Sequence, residues 1–151
     1  MGKRGFTLIE IMIVVLIIGI LTTIAVPMYR KTIETSKATD ALAILNTIAN
    51  ANRMYQLDNN AYTNGRLSST HPLVQRKYMA DHPWGNYQWR FCSCNTTNCG
   101  ACGGGCSGNN RVACAYNNSP LGNPYNTWRY EIATNGSCYA YGIKVPPCPG
   151  M

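Results

Sequence analysis

Acidic residues are scarce in this chain. Only six of its 151 residues are Asp or Glu, and after residue 58 the carboxylates are Asp81 and Glu131 alone. Two isolated acids do not supply the paired groups that general acid–base chemistry needs, so catalysis is not expected. Histidine is as rare, with only His71 and His82, each followed by proline and neither beside a cysteine. No metal site is read there; the expectation is two solvated loop histidines. No Gly-rich phosphate loop is present, because the glycines at 103–105 lie between cysteines and precede neither a helix nor a lysine. Together these gaps leave no cofactor to expect. Cysteine is absent before residue 92, although eight follow.

Charge is also nearly missing from the segment that follows the first five residues. Between Phe6 and Tyr29 the run FTLIEIMIVVLIIGILTTIAVPMY carries one charged residue, Glu10. From Phe6 to Met28 a helix would be about 35 Å long, against roughly 30 Å for a bilayer core. Lys3 and Arg4 precede it, so the positive-inside tendency gives a single-pass segment with its N-terminus inside and residues after 30 outside. A carboxylate at such a depth costs several kcal/mol unless it is paired, which marks Glu10 as functional. Gly19 and Pro27 weaken this helix, and a kink or local melting is expected at Pro27.

Beyond residue 31 the apolar pattern becomes one-sided. Ala41, Leu45, Ile48 and Tyr55 form a stripe flanked by Leu42, Ile44 and Ala49, with Ser36, Asp40, Ala43, Thr47 and Asn50 opposite. One helix is therefore predicted from Phe6 to Asp58, ended by the turn formers LDNNAYTNG at 57–65. Residues 66–85 read as an irregular connection. Strands are predicted at 87–91, 111–116, 128–132 and 138–145, with Asn135-Gly136 marking a hairpin. The predicted class is α+β: a long helix packed on an antiparallel sheet of three or four strands.

Cys92, Cys94, Cys99, Cys102, Cys106 and Cys114 lie within 23 residues of a Gly- and Asn-rich insert, 92–114, and Cys138 and Cys148 stand apart. Eight cysteines behind a membrane-targeting segment imply an oxidising compartment and structural disulfides. Roughly a hundred connectivities are open; Cys138 and Cys148 are expected to pair with each other. The Cys99-x2-Cys102 spacing suits a metal, but no second such pair and no nearby histidine accompanies it, so disulfides are the preferred reading.

The stretch KRGFTLIEIMIVVLIIGILTTIAVPMY resembles the N-terminus of type IV pilins, of the type IVa kind, and of the related type II secretion pseudopilins. Gly5, Phe6 and Glu10 carry the likeness, with Gly19, Pro27 and Tyr29. The resemblance implies a pilin fold with residues 1–5 as leader, 6–29 as transmembrane and filament-core helix, 30–58 as its amphipathic half, and 59–151 as a disulfide-rich β domain. It also implies cleavage by a prepilin peptidase between Gly5 and Phe6 and N-methylation of Phe6. Glu10 would then pair with the Phe6 amine of a neighbouring copy as the assembly machinery builds a helical homo-oligomer. The subunit would pass from the inner membrane to an extracellular filament, serving adhesion or motility. The alternatives are a type II secretion pseudopilin, or a minor pilin acting as a DNA- or surface-binding receptor. Major pseudopilins commonly bind calcium through late acidic residues, and here only Glu131 follows Asp81. The receptor reading draws on a net charge of +5 once Lys3 and Arg4 are removed, and on Trp84, Trp89 and Trp128 if exposed. Buried tryptophans would weaken it.

Overall fold

A computed structural model describes residues 7–97, 99, 106 and 109–149. The chain divides into two units, residues 1–37 and 38–151. Helix α1, Leu8–Asn59, contributes to both and is helical throughout, Pro27 included. The local melting expected at Pro27 does not occur; the helix carries on past it.

In the first unit every apolar side chain of α1 from Leu8 to Tyr29 is exposed. The hydroxyls of Thr22 and Thr23 turn inward, donating to Gly19 O at 3.0 Å and Ile20 O at 2.7 Å. Such back-bonding hides polar groups that hydrocarbon would not solvate. Among the described residues, α1 is the one helix long and apolar enough to cross a membrane.

The second unit packs the amphipathic part of α1 on a five-stranded antiparallel sheet. Its strands are β1 (Gly65–Arg66), β2 (Trp89–Ser93), β3 (Arg111–Asn117), β4 (Arg129–Ala133) and β5 (Cys138–Tyr141), in sequence order across the sheet. This is the α+β architecture of the pilin fold. The two-residue β1 is not among the predicted strands, and the 66–85 connection holds a short helix, α2 (Pro72–Gln75), and leads into a 3-10 turn at Trp84–Asn86.

Strand alternation sorts the sheet's two faces. Trp89, Phe91, Ala113, Ala115, Tyr130 and Ile132 join Ala41, Leu45 and Ile48 of α1 in the core. Trp89 stacks on Tyr130 with ring centroids 5.5 Å apart, and Tyr130 donates its hydroxyl to Pro146 O at 2.9 Å. Burial pushes the Tyr130 pKa up to about 12.

One polar residue stands inside this apolar stripe. Asn52 is fully buried, and its Nδ2 donates to Val112 O at 2.8 Å and Cys94 O at 3.0 Å. Its Oδ1 accepts from the backbone N and the hydroxyl of Thr63, both at 2.9 Å. A single carboxamide therefore ties α1 to the segment after it, to the end of β2 and to β3. Arg53 adds a bond to Ala133 O at 2.8 Å, reaching β4.

Replacing Asn52 by alanine strands buried carbonyls and a buried N–H. The expected cost is about 2–4 kcal/mol in chemical denaturation of the oxidised full chain. A surface control, Asp40→Ala, is expected to stay within about 0.5 kcal/mol of the parent.

Candidate assembly segment and outer sheet face

The N-terminus of α1 is closed by a reciprocal capping box. Thr7 stands at the N-cap and Glu10 three residues on. Glu10 Oε2 accepts from the backbone N and the hydroxyl of Thr7, both at 2.7 Å, while the Thr7 hydroxyl accepts from Glu10 N at 3.3 Å. Both contacts use Oε2, so Oε1 is left without a partner among the described residues. Glu10 is exposed in the single subunit. Gly19 faces open space, since a Cβ there would meet nothing within 4 Å. Residues 1–5 of the leader and Phe6 lie outside the described residues, as does Cys102.

The cysteines fall into two places. Cys138 and Cys148 are joined, closing the C-terminal segment onto β5. Within the insert, Cys94 is joined to Cys99 and Cys106 to Cys114, and Cys92 is also disulfide-bonded. Cys94, Cys99 and Cys114 are buried together, with Cys106 packed against them. The insert thus has a small sulfur core of its own. Among the described residues no three His, Cys, Asp or Glu side chains are grouped to hold a metal.

The face of the sheet away from α1 carries two cross-strand rows. One runs Arg66, Cys92, Cys114, Glu131, Tyr139; the other runs Arg90, Tyr116, Arg129, Tyr141. Glu131 is fully buried at its centre. Its Oε2 accepts from Arg111 Nε at 2.9 Å, and Arg129 Nε lies 3.2 Å from Oε1, an ion pair without hydrogen-bond alignment. The Arg111 guanidinium lies 4.0 Å from the Tyr139 ring centroid and that of Arg129 4.5 Å from Tyr141. These contacts set cations against aromatic rings. Basic residues scattered through the sequence are gathered here by register. Glu131, committed to two arginines, is not a free oxygen ligand.

One expectation is corrected here. His71 is not a solvated loop residue: it is buried and caps α2, its Nδ1 accepting from Leu73 N at 3.3 Å. That bond assigns the ring proton to Nε2, which donates to Ser93 Oγ at 3.0 Å. Trp89 and Trp128 are buried in the core, which leaves only the half-buried Trp84 for contacts with bases. The alternation of large apolar residues with polar ones in 89–93 and 129–133 is the signal that assigns these faces from sequence.

Burial lowers the His71 pKa below its ordinary value near 6.5. The unfolded chain binds a proton there more readily than the folded one. The stability His71 contributes is therefore complete above about pH 6.5 and is lost as pH falls through the lower folded value. Thermal melts between about pH 5 and 7 are expected to show a falling midpoint that His71→Asn, which keeps a capping acceptor, flattens.

Residues 1–26 match the family model described as the prokaryotic N-terminal methylation motif. The type II secretion system core protein G of Pseudomonas aeruginosa is 37% identical over 104 residues, covering 58% of this chain and 72% of that protein. The Pectobacterium carotovorum protein of the same name is 38% identical, over 57% of this chain and 65% of its own length. The type IV wide pilus major component PilA4 of Thermus thermophilus is 40% identical over 67 residues, 44% of this chain and 51% of that one. No solved structure matches. Capping box, exposed apolar helix, sheet and leader motif agree with these similarities: the chain belongs to the family of type IV pilins and type II secretion pseudopilins.

Proposed function

We propose that this protein is a structural subunit of a type IV pilus filament. The apolar part of α1 anchors it in the inner membrane, N-terminus inside, until prepilin peptidase cuts between Gly5 and Phe6 and the Phe6 amine is methylated. Subunits then polymerise through these helices, with Glu10 of one copy pairing to the Phe6 amine of the next. Gly19 and Pro27 serve close packing in that bundle.

The observation that carries this reading is the state of Glu10. It is the one charge on an exposed apolar helix segment, and its capping bonds occupy a single oxygen. The other is available to an ammonium group without breaking the cap. A buried carboxylate and a buried ammonium are each costly alone, and pairing them between copies sets the stagger of the helices.

A second reading, a type II secretion pseudopilin, is favoured by the reach of the similarity. The core protein G matches extend over 57% and 58% of this chain, against 44% for the Thermus pilin. Deleting the gene separates the two: loss of long surface filaments supports the pilus, loss of protein secretion with filaments intact supports the pseudopilus.

Glu10→Gln tests the charge pairing. Glutamine still completes a capping box but does not neutralise an ammonium. The variant is expected to be inserted and processed yet to yield about a tenth or less of the sheared filaments given by the parent, corresponding to a loss of about 1.4 kcal/mol or more per contact. Parental filament yield from Glu10→Gln would refute pairing between copies.

A further inference from the structure

At one edge of the sheet β1 pairs only with Cys92 and Ser93, leaving the start of β2 uncovered. A cleft of about 340 Å³ opens there, lined by Arg66, Arg90, Trp84, Tyr87, Asn86 and Asn118 among others, with no acidic side chain in its wall. Arg66 lies opposite Cys92, and Arg90 is two residues along β2 on the same face. That diagonal places the two side-chain roots about 7–8 Å apart. Neither arginine takes part in an ion pair among the described residues.

Trp84 is held in place from behind. Its Nε1 donates to Asp81 Oδ1 at 3.0 Å, and its ring meets Phe91 edge-on at a 6.0 Å centroid distance. The indole is thus a fixed wall of the cleft, with its polar atom already satisfied.

We propose that this cleft binds an acidic saccharide, a sugar bearing a carboxylate. Guanidinium forks match carboxylate geometry bidentately. Trp84 and Tyr87 line the cleft and supply the small apolar part of its wall, on which the C–H face of a pyranose can rest. The carboxamides of Asn86 and Asn118 both donate and accept, as sugar hydroxyls require. The volume falls in the range of small-molecule sites and admits one or two sugar rings.

A nucleic acid fits less well. Bases need free aromatic faces in series, whereas on this side of the sheet the rings of Tyr139 and Tyr141 are covered by Arg111 and Arg129. The saccharide site depends on neither filament formation nor the role of Glu10.

The test is calorimetric titration of the full chain in detergent micelles with hyaluronan tetrasaccharide, with neutral cellotetraose, and with an oligothymidylate of equal charge. The expected result is binding of the hyaluronan tetrasaccharide alone, weakened about tenfold or more by Arg90→Gln or Arg66→Gln, the scale of one lost charged hydrogen bond. Lys144→Gln, an exposed charge outside the cleft, controls for overall charge and is expected to change affinity less than about twofold. Three results would overturn the proposal: no binding, equal binding of the oligothymidylate, or a loss in Lys144→Gln as large as in Arg90→Gln.

Discussion

The globular unit depends on one buried carboxamide. A helix lying on a sheet is held mainly by apolar contact, which resists separation but tolerates sliding. Asn52 removes that freedom, because its bonds to Thr63, Cys94 and Val112 are satisfied in one register only. Buried neighbours such as Leu45 and Ile48 contribute attraction of order 2 kcal/mol for each side chain. Asn52 decides where along the helix that attraction is used. Arg53, one residue on, extends the same restraint to β4.

Around that joint the sheet's two faces do different work. The inner face is aromatic and aliphatic, and Trp89 and Tyr130 are spent on packing. The outer face carries cations, rings and a buried carboxylate, which would cost several kcal/mol without the two arginines beside it. Cys92 and Cys114 sit in that same outer row, so the disulfide-bonded insert is anchored on this face. Sulfur there replaces the apolar surface that a Gly- and Asn-rich segment lacks.

Much of this is legible in the sequence. Periodicity locates α1 and the longer strands to within a few residues, because helix and strand periods are local signals. The leader motif makes Glu10 conspicuous for the same reason. Asn52 escapes such a reading although it continues the spacing of Leu45 and Ile48, because a polar residue in an apolar stripe looks like an interruption. His71 reads as solvated since its partner Ser93 is 22 residues away. β1 is two residues long and has no period to detect. The gathering of Arg66, Arg90, Arg111 and Arg129 depends on strand register, a property of the assembled sheet. The capping of Glu10 by Thr7 is a four-residue pattern within reach of sequence, but the membrane context draws attention to partners in other copies.

The account rests on a processed, exported and crosslinked subunit. Intact-mass and N-terminal analysis of filaments sheared from the cell surface, before and after reduction, tests this most directly. The predicted species begins at methylated Phe6 and gains the mass of eight hydrogens on reduction, one for each cysteine. A chain confined to the membrane with residues 1–5 still attached would contradict it.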